Sequence, residues 1–228
     1  MSRSASSWAA EVAALFVKEW RCELRTRTAL NTLVLFAFTT LVVVSVNLGP
    51  LGVSSSKGTT LLPVLLWLIL LFSVTAGLPR TFVHEEETQT ATALRLAATP
   101  SALFVGKLLY GLTIVAVLAA LVTPAFVAMT SLSVGAPWVL VAALAAGGYG
   151  LAVGSTLVAA IIAQARTKGT LFAVLAFPIL LPLLLLAVEV TRNAVAGFPP
   201  GVAMPQLLLY DASVTIAGLM LFPTVWNP

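Results

Sequence analysis

Trp138–Ala163 reads WVLVAALAAGGYGLAVGSTLVAAIIA, 26 consecutive residues without one charged side chain. As a helix rising about 1.5 Å per residue it would extend roughly 39 Å, enough to cross the ~30 Å hydrocarbon core of a bilayer. Five further stretches have the same character: Leu30–Leu48, Leu61–Leu78, Leu108–Thr130, Thr170–Val190 and Leu207–Val225. None carries a charge in its middle, and Glu189 and Asp211 stand near the ends of the fifth and sixth runs.

Composition agrees with the segments. Of 228 residues, 60% are apolar and 9% charged, against about 45–50% and 25% in soluble domains. A soluble core of this size cannot hide that much apolar surface, so lipid must act as solvent. We therefore expect an all-α membrane protein: one domain over residues 1–228, with six transmembrane helices between residues 30 and 225. Pro63, Pro100 and Pro137 lie near helix starts, where a missing N–H costs little, and Thr99-Pro100 reads as a cap followed by a first-turn proline. The net charge of +4 does not indicate a nucleic-acid partner, because the basic residues flank the apolar runs and form no stripe interleaved with aromatics. Cys22 is the only cysteine, which excludes an internal disulfide and a cysteine-rich metal site. The first 28 residues are polar and charged, and the first apolar run is too long for a signal-peptide core. The first span is expected to do the targeting.

Lys and Arg in the connections give the orientation. Arg3, Lys18, Arg21, Arg25, Arg27, Arg80, Arg95, Lys107, Arg166 and Lys168 fall on one side, and only Lys57 and Arg192 on the other. This asymmetry predicts that both termini are cytoplasmic, in agreement with an even number of spans, which places them on the same side.

Two cytoplasmic segments carry more pattern than a connector needs. Before the first span, in residues 1–28, Trp8, Val12, Phe16, Trp20 and Leu24 recur every four residues, with Leu15 beside them. That spacing makes one apolar helical face, with Glu11, Lys18, Arg21 and Arg25 largely opposite. Such a helix is expected to lie in the membrane interface; packing on a soluble partner is the alternative. Between the second and third spans, residues 80–107 form the longest cytoplasmic connection. There Glu85, Glu86 and Glu87 precede a short helical stretch, Thr88–Ala98, with Arg95 near its end, charges that suit the helix dipole. Contact with a cytoplasmic protein would explain a connection of that length.

Catalytic chemistry has no foothold. A phosphate loop with Gly-Lys-Ser/Thr is absent, as are HExxH and GxSxG, so no catalytic residue or metal site is assigned and the chain cannot be its own ATPase. His84, the only histidine, sits beside three glutamates, where solvation is the simpler reading and iron ligation the sharper one. Met129, Met204 and Met220 are packing residues by default. Glu189 and Asp211 are candidates for a transport path, or for structural pairing in which Glu189 meets Arg192 and both carboxylates reach interfacial water. Pro178 and Pro182 should kink the fifth span. Gly150 and Gly154 have the spacing that brings helices close together.

Taken together, six spans, an amphipathic helix and an acidic-started helix after span two resemble the permease subunits of ABC-2-type ATP-binding-cassette exporters. In that class a short coupling helix at this position docks on the ATPase. Its pattern is an acidic cluster, then Gly-Thr/Ser-Leu-Glu, a leucine-rich turn and a proline. Glu85, Glu86, Glu87, Thr92, Leu96 and Pro100 match it, whereas Ala91 and Leu94 stand where glycine and glutamate are usual. Within the class the chain resembles the CcmB family, the haem-exporter permeases of cytochrome c maturation. The opening Phe16–Arg25 and the proline-paired Phe177–Leu184 carry that likeness. The resemblance implies a bacterial inner-membrane location and two copies of a CcmA-like ATPase that binds the ATP. It also implies a CcmC-like haem-handling protein, a CcmD-like small subunit, and haem as cargo, with no cofactor assigned to residues of this chain. A permease for a drug or lipid, and an assembly subunit that transports nothing, are the rival readings.

Overall fold

The computed structural model describes residues 5–52, 56–77, 94, 97–163 and 168–226. Among them seven long helices occur and no strand: α1 (Ala5–Thr26), α2 (Thr28–Gly52), α3 (Ser56–Gly77), α4 (Pro100–Thr130), α5 (Pro137–Ala163), α6 (Lys168–Ala196) and α7 (Ala203–Trp226). Helices α2 to α7 are each long and apolar enough to cross a bilayer. The chain is a multi-pass membrane protein.

The largest departure from the expected spans is at α4, which begins at Pro100 rather than Leu108. Lys107 is the reason. Its charge interrupts the apolar run and placed residues 100–107 in the connection, yet its side chain is buried inside the fold. Helix α4 therefore has 31 residues, about 46 Å of helix and well beyond the hydrocarbon thickness.

Contacts fix an alternating bundle. Leu33, early in α2, lies against Gly77 at the end of α3, so these two run antiparallel. The Ser45 hydroxyl donates to the Met129 carbonyl at 3.2 Å, near the far ends of α2 and α4, so these two run parallel. Leu180 meets Gly154 and Leu183 meets Gly150, which sets α6 antiparallel to α5. Phe104, near the start of α4, packs on Gly218 and Phe222 near the end of α7, with its ring 5.3 Å from that of Phe222.

Helix α5 is the centre. In an 18-residue stretch of α5 83% of residues are buried, against 17% and 22% in the corresponding stretches of α2 and α7. Side chains such as Leu35, Phe38 and Val46 on α2, and Leu209, Ile216 and Met220 on α7, are left outward. Lipid tails are as apolar as these side chains, so burial between helices gains little by itself and close packing must hold the bundle. Gly147 illustrates how: the Trp67 ring from α3 occupies the space a side chain would need. The indole N–H of Trp67 then donates to Thr191 on α6 at 2.8 Å.

Candidate functional site

The sequence directs attention to the connection between α3 and α4. Glu85, Glu86, Glu87, Thr92 and Leu96 lie outside the described residues, as does His84. Leu94 packs against the core, and the Ala98 N–H donates to its carbonyl at 3.0 Å, one helical turn. Thr99 is the N-cap of α4, in extended backbone (φ −74°, ψ 142°), with Pro100 at the first helical position. The proline lacks an N–H and is pre-set for a helix start, so the corner is fixed locally.

What grips this corner comes from α1. One carboxylate oxygen of Glu11 accepts both the Thr99 N–H (3.1 Å) and the Thr99 hydroxyl (2.8 Å). Thr99 does not cap α4 with its own side chain, and the two bonds to Glu11 tie the corner to α1. The Trp8 indole N–H donates to Ser101 at 3.2 Å.

Further along, α1 and α4 continue side by side and parallel. Gly106 leaves room for Leu15 and the Val12 carbonyl. Lys107 Nζ then meets Glu19 at 3.0 Å, and Lys18 reaches the same oxygen at 3.0 Å. The Tyr110 hydroxyl donates to Glu23 at 3.4 Å, and the Trp20 N–H donates to Thr113 at 3.2 Å. The Trp20 and Tyr110 rings stack edge-on, 5.8 Å apart. Glu23 also accepts the Leu30 N–H at 2.8 Å. A carboxylate at a helix N-terminus is favourable, so Glu23 caps α2 from the preceding helix. Between α1 and α2 the chain turns at Arg27, in the left-handed region with φ 53°.

Glu19, Glu23 and Lys107 are all buried. Burial alone pushes the Glu19 carboxyl up, but the attraction and hydrogen bonds of Lys107 and then Lys18 outweigh it and hold the group below its usual value.

The face of α1 that docks is therefore not the aromatic stripe alone. Val12 is buried and Phe16 and Trp20 are partly buried on the core, but Trp8 and Leu24 are exposed. Glu11, expected opposite the apolar face, turns toward α4 because Thr99 offers it two donors. Sequence reasoning missed Glu19, Glu23, Lys107, Tyr110 and Thr113. A signal was present: Glu11, Leu15, Glu19 and Glu23 recur every four residues beside the aromatic series, and a single lysine interrupts the apolar run they face.

The transport-path candidates do not form one site. Glu189 is exposed and pairs with Arg192 at 3.5 Å, three residues on. Asp211 does not reach water near a span end, as expected from sequence; it is only 3% exposed. Helix α7 starts where its first turns already lie beside α5, so Asp211 falls against Gly150 and Leu183. Gly150 is the fourteenth of 27 residues in α5 and Leu183 the sixteenth of 29 in α6, so the carboxylate sits at mid-depth. Neither of its oxygens has a hydrogen-bond partner among the described residues. Pro178 and Pro182 lie inside α6 as expected. Between the two prolines the Ile179 carbonyl accepts the Tyr210 hydroxyl at 2.7 Å, which ties α7 to α6.

Among the described residues no cluster of His, Cys, Asp and Glu could hold a metal ion. Met129 and Met204 pack against the core and Met220 is exposed. Compared with known proteins, the chain matches the family described as CcmB protein over residues 10–225. No curated protein matches it.

Proposed function

This chain belongs to the CcmB family, and from that premise we propose that it is the membrane permease subunit through which a separate ATPase drives haem export in cytochrome c maturation. The family match over nearly the whole chain carries this reading. Both termini, α1 and the α3–α4 connection are cytoplasmic in this account, a reading that the distribution of lysine and arginine supports.

The ATPase docks on the segment from Glu85 to Ala98 and on the Pro100 that follows it, with Glu85, Glu86, Glu87, Thr92, Leu96 and Pro100 as its contact residues. ATP binding and hydrolysis change the affinity of the ATPase for the two arrangements of this segment, and only such a difference can shift the bundle. The Thr99–Pro100 corner is where the segment becomes α4. Because Glu11, Glu19 and Glu23 join α1 to α4 along this length, a pull on the corner moves both helices together. Helix α1 rests its exposed Trp8 and Leu24 and its partly buried Phe16 and Trp20 in the inner leaflet and acts as the fulcrum. Haem is cargo or substrate of the assembly, and no residue of this chain is assigned to its iron. The partners are two copies of a CcmA-like ATPase, a CcmC-like haem-handling protein and a CcmD-like small subunit in the bacterial inner membrane.

Reversing the charge of Glu85, Glu86 and Glu87 together tests the docking. The complex should no longer co-purify with its ATPase. Undiminished pull-down with undiminished ATP hydrolysis would overturn the assignment.

A further inference from the structure

We propose that Asp211 is a proton-binding site at the centre of the bundle: the packed arrangement of α5, α6 and α7 holds its neutral acid, and the carboxylate forms when α7 separates from α5. The inference goes beyond the function proposed above and does not depend on cargo or motor.

The surroundings of Asp211 supply no stabilisation for a charge. Its side chain is enclosed by Gly150 of α5 and Leu183 of α6, and neither oxygen accepts a hydrogen bond among the described residues. The absence of a side chain at Gly150 makes the room, since a Cβ there would overlap the carboxylate oxygen. Among the described residues no counter-ion comes from the packed helices. Helix α5 contains no charged residue, and α7 contains only Asp211. On α6 the charged residues are Lys168, Glu189 and Arg192. Lys168 and Arg192 are 15 and nine residues from Leu183, about 22 Å and 13 Å along the helix, and Arg192 is paired with Glu189. Helix α4 meets α7 through Phe104 and commits its Lys107 to Glu19. The other titratable neighbours are Tyr149, bonded to Thr215 at 3.0 Å, and Tyr210, which donates to Ile179.

An ion sealed in an apolar interior without a partner is far costlier than the neutral acid. Protonation is therefore what permits this packing. Conversely, water entering between α5 and α7 would favour release of the proton, so protonation and closure of this interface are linked. A membrane bundle driven between two packings thereby gains a group that takes up a proton in one and gives it up in the other.

Asp211 is the only aspartate in the chain, which permits a test without mutation. Cell-free synthesis with aspartate 13C-labelled at its γ-carboxyl marks this one side chain in the full-length protein, which is then placed in lipid nanodiscs. At about pH 7, roughly three units above the ordinary aspartate value, infrared spectra should show the isotope-shifted carbonyl stretch of a protonated acid. Raising the pH should replace it by carboxylate bands. Carboxylate bands alone at that pH, from the folded protein, would overturn the proposal. Thermal unfolding gives a second, independent readout. Wild-type stability should fall as pH rises through this transition, and D211N should lack that fall; parallel curves would refute the linkage.

Discussion

Replacing Lys107 with methionine removes one cation from a place where two carboxylates are buried. The methionine keeps the apolar stem, so packing against α1 is largely retained. Glu19 loses the ammonium at 3.0 Å and keeps Lys18, whose side chain is 38% exposed and so attracts it through partly hydrated surroundings. Breaking a buried pair by removing one partner costs about 3–5 kcal/mol; with Lys18 still present the lower end applies, about 3 kcal/mol. For a chain of this length, and with soluble-domain scaling, that is a fall of roughly 6–12 °C in Tm. Thermal unfolding in lipid nanodiscs, followed by tryptophan emission, is the assay, since Trp20 lies in the affected junction against Tyr110. E19Q should also destabilise, and the double variant E19Q/K107M should recover part of the loss. A Tm within about 2 °C of wild type for K107M, or single effects that add to the double within about 0.5 kcal/mol, would refute the reasoning.

Three further outcomes follow from the same geometry. E11A removes the acceptor that serves both donors of Thr99 and should cost about 1 kcal/mol, as helix caps do, seen as faster hydrogen exchange in the first turn of α4. Because the Glu19 carboxyl is held below its usual value of 4.5, its contribution is complete above that pH and is lost as pH falls through the lower folded value; acid titration should loosen α1 in the wild type, and K107M should move the loosening to higher pH. G150A places a methyl group where Asp211 and Leu183 already lie, and overpacking of this kind should cost about 1–3 kcal/mol in unfolding measurements.

The bundle was legible in the sequence because membrane helices declare themselves by length and absence of charge. Each of the six expected runs overlaps one of α2 to α7. What the sequence concealed were the places where a charge is buried by a distant partner. Lys107 looks like the end of a loop until Glu19, 88 residues away, is seen to receive it, and so the pattern alone puts the first two turns of α4 in the connection. Asp211 looks like an end-of-span carboxylate because its depth depends on which part of α5 the start of α7 meets. The docking face of α1 was half legible: the aromatic series was evident, while the glutamate series beside it gains meaning only from Thr99, Lys107 and Tyr110. Gly150 and Gly154 were readable as packing residues, and Leu183 and Leu180 do lie against them.

The reading that an external motor works this bundle through the connection before α4 can be tested where the contact is made. With Cys22 changed to serine, a single cysteine at Glu86 would carry a short photoactivatable cross-linker in native membranes, with a cysteine at Glu189 as the control for the opposite side. The account predicts an adduct between the Glu86 position and an ATP-binding-cassette ATPase subunit, identified by mass spectrometry, and none from Glu189. An ATPase adduct from Glu189, or labelling of the Glu86 position only from outside the cell, would contradict it.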